Sequence, residues 1–261
     1  MTQEYSRLKR LVGQDTKGRF ALINEEIEKM GLAAKVYEID SPRGKDKHLV
    51  VHFDYGAEKE LWLTANYDTF ETLPSANNNG SGVTTLLGVA EHLRVAELPV
   101  NVRIIYFDAG LDTDLIERRR SADFVPGSEL FLQHVVDNEI EAIEKYAGSV
   151  VVQAVGKGGL CLFEKTGKKI GNSEWLNRKL VAYGKSSGTN IEIKERSPPA
   201  DNLSFLKKGL EATVLARYHE GSWHRMQTKQ DDMTNVSVAD IDGTILFLYD
   251  LLKSDISGDT T

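Results

Sequence analysis

The chain has 261 residues, 41% of them hydrophobic and 27% charged, with a formal net charge of −7 and one cysteine. That length suits a single domain with a sizeable core, and the acidic balance argues against nucleic acid or an anionic membrane as partner. A lone thiol, Cys161, set in the apolar run GGLCLF, excludes both a disulfide framework and a thiolate zinc site within one chain, and reads as a buried structural residue. The charged N-terminal stretch lacks an apolar signal core and no apolar run reaches the length of a membrane span, so a cytoplasmic protein is expected.

In chain order, residues 2–12 and 16–30 carry helical spacing and make a pair of N-terminal helices within residues 1–33, with Gly31 placed to end the second. Residues 35–40 alternate as a strand. Residues 48–55 and 60–66 read as two strands around Gly56-Ala57-Glu58-Lys59, predicting a hairpin between them. A helix over 82–93 follows, then the near-continuous apolar strand 100–107, of the kind found in sheets covered on both faces. Residues 112–126 are highly charged and read as an irregular insertion.

Helical spacing returns over 127–146, and strands are predicted at 149–155 and 159–163. After them come a helix at 174–183, a short strand at 191–194, a short helix at 202–208, a strand at 211–216 and a last helix at 238–252. The tail 254–261 reads as flexible. Strands alternating with helices imply an α/β fold with a central, mostly parallel twisted sheet and helices on both faces, in one domain over 1–261.

In such folds ligands sit beyond the carboxyl ends of strands. Those ends offer Asn66 and Asp68, Asn77-Asn78-Asn79, Asp108, Gln153, Asp201-Asn202, His219 and His224. Asn77–Gly80 could also serve only as a turn and helix cap, for which Asn and Gly are suited. Taken in order, Ala65-Asn66-Tyr67-Asp68-Thr69, Ser75–Gly82, Phe107-Asp108-Ala109-Gly110-Leu111 with Gly127-Ser128, Gln153–Gly156, Ala200–Phe205, and Trp223-His224 with Asp231 or Asp232 resemble the zinc aminopeptidase family that also contains the glutaminyl cyclases. The likeness runs from about Leu61 to Leu252 and implies a phosphorylase/hydrolase-like fold.

The same resemblance implies one or two zinc ions held by His, a bridging Asp, Glu, a second Asp or Glu and a final His, with a neighbouring Glu as general base. The family patterns are His-x-Asp at the first strand end and aromatic-His-x-x-x-Asp near the close. Against them this chain has Asn66 for the first His, Asn78 for the bridging Asp, Gly110 and Leu111 for the Glu pair, and Gln153 for the later Asp. His224 matches the final His, and Asp68 matches the residue that orients the first one.

Carboxamides are poor zinc donors, and Gly and Leu cannot move a proton. The resemblance with these departures implies no zinc cofactor and a polar cleft that binds a small molecule, amino acid or peptide terminus. Its lining would include Asn66, Asp68, Asn78, Gln153, Asp201, Trp223 and His224, with His224, Asp201 and Asp68 as ionisable candidates. The rival reading is an aminopeptidase-type hydrolase or cyclase, with a metal site reorganised through Asp68, Asp112, Asp114, Asp201 and His224, or with metal-free acid/base chemistry at His224. A third reading is an interaction module built on the charged insertion.

Overall fold

A computed structural model describes residues 2–41, 44–69, 73–108, 126–167 and 170–254. Gly110, Leu111, Asp112, Asp114, the rest of the charged insertion apart from Pro126, and the tail beyond Ser254 lie outside the described residues.

The strands are β1 (Lys35–Ser41), β2 (Gly44–Phe53), β3 (Glu60–Asn66), β4 (Asn101–Phe107), β5 (Tyr146–Val152), β6 (Gly159–Thr166), β7 (Ile170–Gly171), β8 (Glu192–Ser197) and β9 (Ala212–Tyr218). They form one sheet in the order β1-β2-β4-β3-β5-β9-β6-β7, with β8 on β6. The centre, β4-β3-β5-β9, is parallel throughout, while β1-β2, β2-β4, β9-β6 and β6-β7 are antiparallel. This is the expected α/β fold with a central, mostly parallel sheet.

The helices are α1 (Gln3–Leu11), α2 (Thr16–Lys29), α3 (Gly82–Leu93), α4 (Gly127–Asn138), α5 (Ile140–Lys145), α6 (Glu174–Ser187), α7 (Asn202–Lys207), α8 (Glu220–Trp223) and α9 (Val238–Lys253). None among the described residues is long and apolar enough to cross a membrane.

The expected hairpin between the strands at 48–55 and 60–66 does not form. β2 pairs instead with β1, in a register that ends with Ser41 opposite Gly44, and β4 lies between β2 and β3. Burial explains the choice. All seven residues of β3 and all seven of β4 are buried, which only central positions allow, whereas β2 keeps exposed positions suited to a place nearer the edge. The single helix expected over 127–146 is interrupted at Glu139, whose backbone leaves helical geometry, and Tyr146 already belongs to β5.

Side-chain alternation along β3 divides the core. Leu61, Leu63 and Ala65 face the layer of α1, α2, α3, α6 and α9, packing with Leu8, Ile23, Leu86, Leu176 and Leu248. Trp62 faces the opposite layer, with Phe107, Phe131 of α4 and Phe205 of α7. Helices α3 and α9 approach so closely that a Cβ on Gly88 would collide with Ile245. By the same alternation Asn66, four residues after Trp62, belongs to the face covered by α4 and α7. Cys161 is buried beside Phe163 and Val214, and burial pushes its thiol up to about 12, away from any nucleophilic role at neutral pH.

Candidate functional site

Strands β3 and β5 run parallel and end side by side, and the asparagine run Asn77–Asn79, ahead of α3, folds across both ends. The Asn79 amide joins them: its Nδ2 donates to Asn66 Oδ1 at 3.1 Å and to the Val152 carbonyl at 3.1 Å, while its Oδ1 accepts the Ala154 N–H at 3.1 Å. Asn77 reaches the other way. Its Oδ1 accepts the Gly156 N–H at 2.8 Å, and its Nδ2 donates to Ser222 Oγ at 3.0 Å. Both side chains are fully buried, so Asn77 and Asn79 build the frame.

Asp231 closes that frame from the far end of the chain. It is fully buried, its Oδ1 accepts from the Asn77 N–H and its Oδ2 from the Asn78 N–H, both at 3.0 Å, and Asn235 Nδ2 donates to Oδ1 at 2.7 Å. Burial raises its carboxyl above the ordinary range, against these hydrogen bonds. Asp232 instead caps the following turn through Thr234. Of the two candidates the sequence left open, Asp231 and Asp232, it is Asp231 that bonds to the Asn77–Asn78 turn.

Four predicted site residues converge around this frame. Asn66 donates through Nδ2 to Asp68 Oδ1 at 2.9 Å, and Gln153 Nε2 donates to Asn78 Oδ1 at 3.4 Å. Asn66, Asp68 and Asn78 are buried, and Gln153 is half-buried. Asp201 joins from the start of α7. Burial pushes its carboxyl up to about 7, with the nearby Asp68 charge adding to the rise and a hydrogen bond with Ser128 opposing it. Ser128, at the start of α4, also lies 2.8 Å from Ser204 Oγ.

Trp223 donates through Nε1 to the Arg217 carbonyl at 2.7 Å, and its ring packs on Phe163 and Tyr218. The adjoining Ser222 accepts from Asn77, which ties α8 to the frame. The structure does not bring His224 into the network. It is exposed, its backbone N–H ends α8 on the Glu220 carbonyl, and none of the hydrogen bonds above involves its ring.

Arg19, Ser222 and Asn235 escaped the sequence reading, and Ser128 entered it only as half of a Gly-Ser motif. Arg19 of α2 lies far from the strand ends in sequence, yet it is fully buried against the loop that joins them. No local pattern marks an arginine for burial.

Zinc, which the family resemblance implies, takes imidazole, thiolate or carboxylate donors. Asn66, Asn78 and Gln153 are carboxamides already engaged in hydrogen bonds. Among the described residues, no three His, Cys, Asp or Glu side chains are grouped to hold a metal ion. The described donor set does not fit zinc.

Comparison with known proteins bears on the fold and the family. The chain is similar to a glutaminyl cyclase of Porphyromonas gingivalis, at 17% identity over 95% of this chain and 96% of that one, with a TM-score of 0.73. It is similar to a leucine aminopeptidase precursor of Bacteroides thetaiotaomicron, at 16% identity over 97% and 96% of the two chains and a TM-score of 0.75. It is also similar to a Zn-dependent exopeptidase of Parabacteroides distasonis, at 14% identity over 96% and 97% and a TM-score of 0.73. No curated protein sequence matches the chain significantly. Residues 48–248 match the model of Peptidase family M28, and the chain belongs to that family.

Proposed function

We propose that this M28 protein binds a small molecule, an amino acid or a peptide terminus in the cleft between Asn66, Asp68, Asn78, Gln153 and Asp201, and that it does so without a metal ion and without peptidase chemistry. The observation that carries the reading is that amides at positions where the family places metal ligands are held in hydrogen bonds: Gln153 Nε2 donates to Asn78 Oδ1 at 3.4 Å, and Asn66 Oδ1 accepts from the neighbouring Asn79. A cluster of carboxylates without a metal would repel, whereas amides satisfy one another and still offer donors and acceptors to a ligand. Gln227 supports the same reading. Counting back four residues from Asp231, as the His-x-x-x-Asp spacing requires, reaches Gln227, while His224 lies seven residues ahead of Asp231. We infer that a fourth ligand position is an amide.

The ligand class follows from the cleft and the relatives. The similar structures are named as an aminopeptidase, glutaminyl cyclases and an exopeptidase, all of which point to chain ends. Asp68 supplies an anionic partner for an amino group, and the amides fix its orientation. The net charge of −7 favours such a ligand over nucleic acid or membrane.

One observation favours a second reading, metal-free acid/base catalysis. A carboxyl held at about 7, as for Asp201, is suited to give and take a proton near neutral pH. A panel of aminopeptidase and glutaminyl-peptide substrates, assayed with added zinc and with chelator, separates the readings. The binder predicts no turnover in either condition, and thermal stabilisation by members of an amino-acid and dipeptide panel. Turnover that survives chelation and is lost in Asp201→Asn would replace it with the acid/base enzyme.

A further inference from the structure

The site contains a built-in cation that the strand-end reading does not use. Arg19 is fully buried, and its guanidinium donates to four backbone carbonyls: Nε to Leu11 at 3.2 Å, Nη1 to Tyr67 at 3.5 Å, and Nη2 to Pro74 and to Ser75, each at 3.0 Å. Tyr67 adjoins Asp68 on one arm of the site. Pro74 and Ser75 lead into Asn77–Asn79 on the other. Thr16, one turn earlier on α2, reinforces the clamp, since its Oγ1 accepts the Thr69 N–H at 3.2 Å.

We propose that Arg19 is the positioning residue of this site, holding its two arms at a fixed spacing and supplying the site with a buried positive charge. A guanidinium suits the task because its planar fork presents five donors in a fixed geometry, so it can bind several carbonyls at once. Burial lowers its pKa to about 10, with Asp68 and Asp231 countering the fall, so it remains a cation at neutral pH. The Ser75 carbonyl links the charge to the frame. It accepts both Arg19 Nη2 and the Gly80 N–H, the latter at 3.0 Å, within the turn whose Asn77 and Asn78 amides end on Asp231.

Arg19 lies outside the residues 48–248 that match the family model, so this device belongs to the N-terminal helices. The inference goes beyond the proposed function, because it requires neither a ligand nor the loss of a metal.

Native-state hydrogen exchange on the full chain tests it. In Arg19→Gln, protection at the Ala76, Asn77, Asn78 and Gly80 amides is expected to fall at least about tenfold, while Ile104 and Ile105 in β4 change by less than about threefold. Arg19→Lys, which keeps the charge but not the fork, is expected to restore most of the protection at Asn77 and Asn78. An equal loss in β4, no loss at the turn, or a Lys variant no better than Gln would overturn the proposal. Should Arg19→Gln not fold, Arg19→Lys against the unmodified chain decides it. Weaker protection confined to Gly80, with Asn77 and Asn78 kept, supports the proposal, and a uniform or absent change contradicts it.

Discussion

Asp231 Oδ2 accepts the backbone N–H of Asn78 at 3.0 Å, across 153 positions of sequence, and its Oδ1 takes the Asn77 N–H beside it. One carboxylate from the segment before α9 therefore holds the turn that crosses the ends of β3 and β5. The contact also sets the register of the closing segment.

Removing that carboxylate leaves two buried backbone N–H groups without their acceptor, and the Asn235 amide with only the Ser222 carbonyl. Hydrogen bonds to a charged group contribute more than neutral ones, and orphaned buried donors add a desolvation cost. Asp231→Ala is therefore expected to lose about 3 kcal/mol of unfolding free energy, read from urea denaturation. A loss below about 1 kcal/mol would show that water replaces the carboxylate at little cost.

Asp201 gives the pH dependence a definite sign. Its folded pKa, about 7, lies above the ordinary value of 3.8, so the folded chain holds a proton that the unfolded chain has released. Its contribution is most favourable at low pH and is lost as pH rises through the folded pKa, which sets the window at about pH 4 to 7. Asp201→Asn removes this dependence, so the variant should gain on the parent by roughly 2–4 kcal/mol between pH 4 and pH 8. Denaturation at several pH values reads the difference, and parallel profiles for the two proteins would contradict it.

Much of this architecture was legible because it is local. The apolar run of β4 announced a strand covered on both faces, and helical spacing placed α2, α3 and α9 within a residue or two. Partner choice was not legible. Nothing in residues 48–66 shows that β2 turns back on β1 while β4 inserts beside β3, because pairing depends on which strand can be buried on both faces. At the site, Asn66, Asp68, Asn78, Gln153 and Asp201 could be named from strand-end placement and family likeness. Asp231 could not be told from Asp232, since only long-range bonds to Asn77 and Asn78 distinguish them. His224 drew attention as a histidine near the expected place, yet it is exposed at the end of α8. Arg19 could not be foreseen at all, because the carbonyls that hold it come from residues 11, 67, 74 and 75.

The packing around the frame leaves little room at Gly156. A Cβ there would stand 2.7 Å from Asn77 Oδ1 and 2.7 Å from Val236 Cγ1, and Asn77 Oδ1 is already bound to the Gly156 N–H. Gly156→Ala should cost about 2 kcal/mol, the range of core overpacking, and lower the melting temperature. An unchanged melting temperature would mean that the Asn77 side chain is not fixed as described.

If amides have taken the places of metal ligands, the metal site should be recoverable by exchanging them. The triple substitution Asn66→His, Asn78→Asp and Gln153→Glu supplies an imidazole and two carboxylates at positions already linked through Asn79 and the Asn78–Gln153 contact. Titration with zinc should stabilise this variant, by about 2.7 kcal/mol when free zinc is a hundredfold above its Kd, and leave the parent unchanged. Equal responses in the two would show that these three positions do not face a common point.

The central claim, a cleft that works without a metal ion, is tested most directly by measuring the zinc content of the purified chain after zinc loading and ordinary dialysis. The account predicts less than about 0.1 zinc per chain, as expected where the donors are carboxamides. One tightly held zinc per chain, lost only to a strong chelator and with a matching fall in stability, would contradict it.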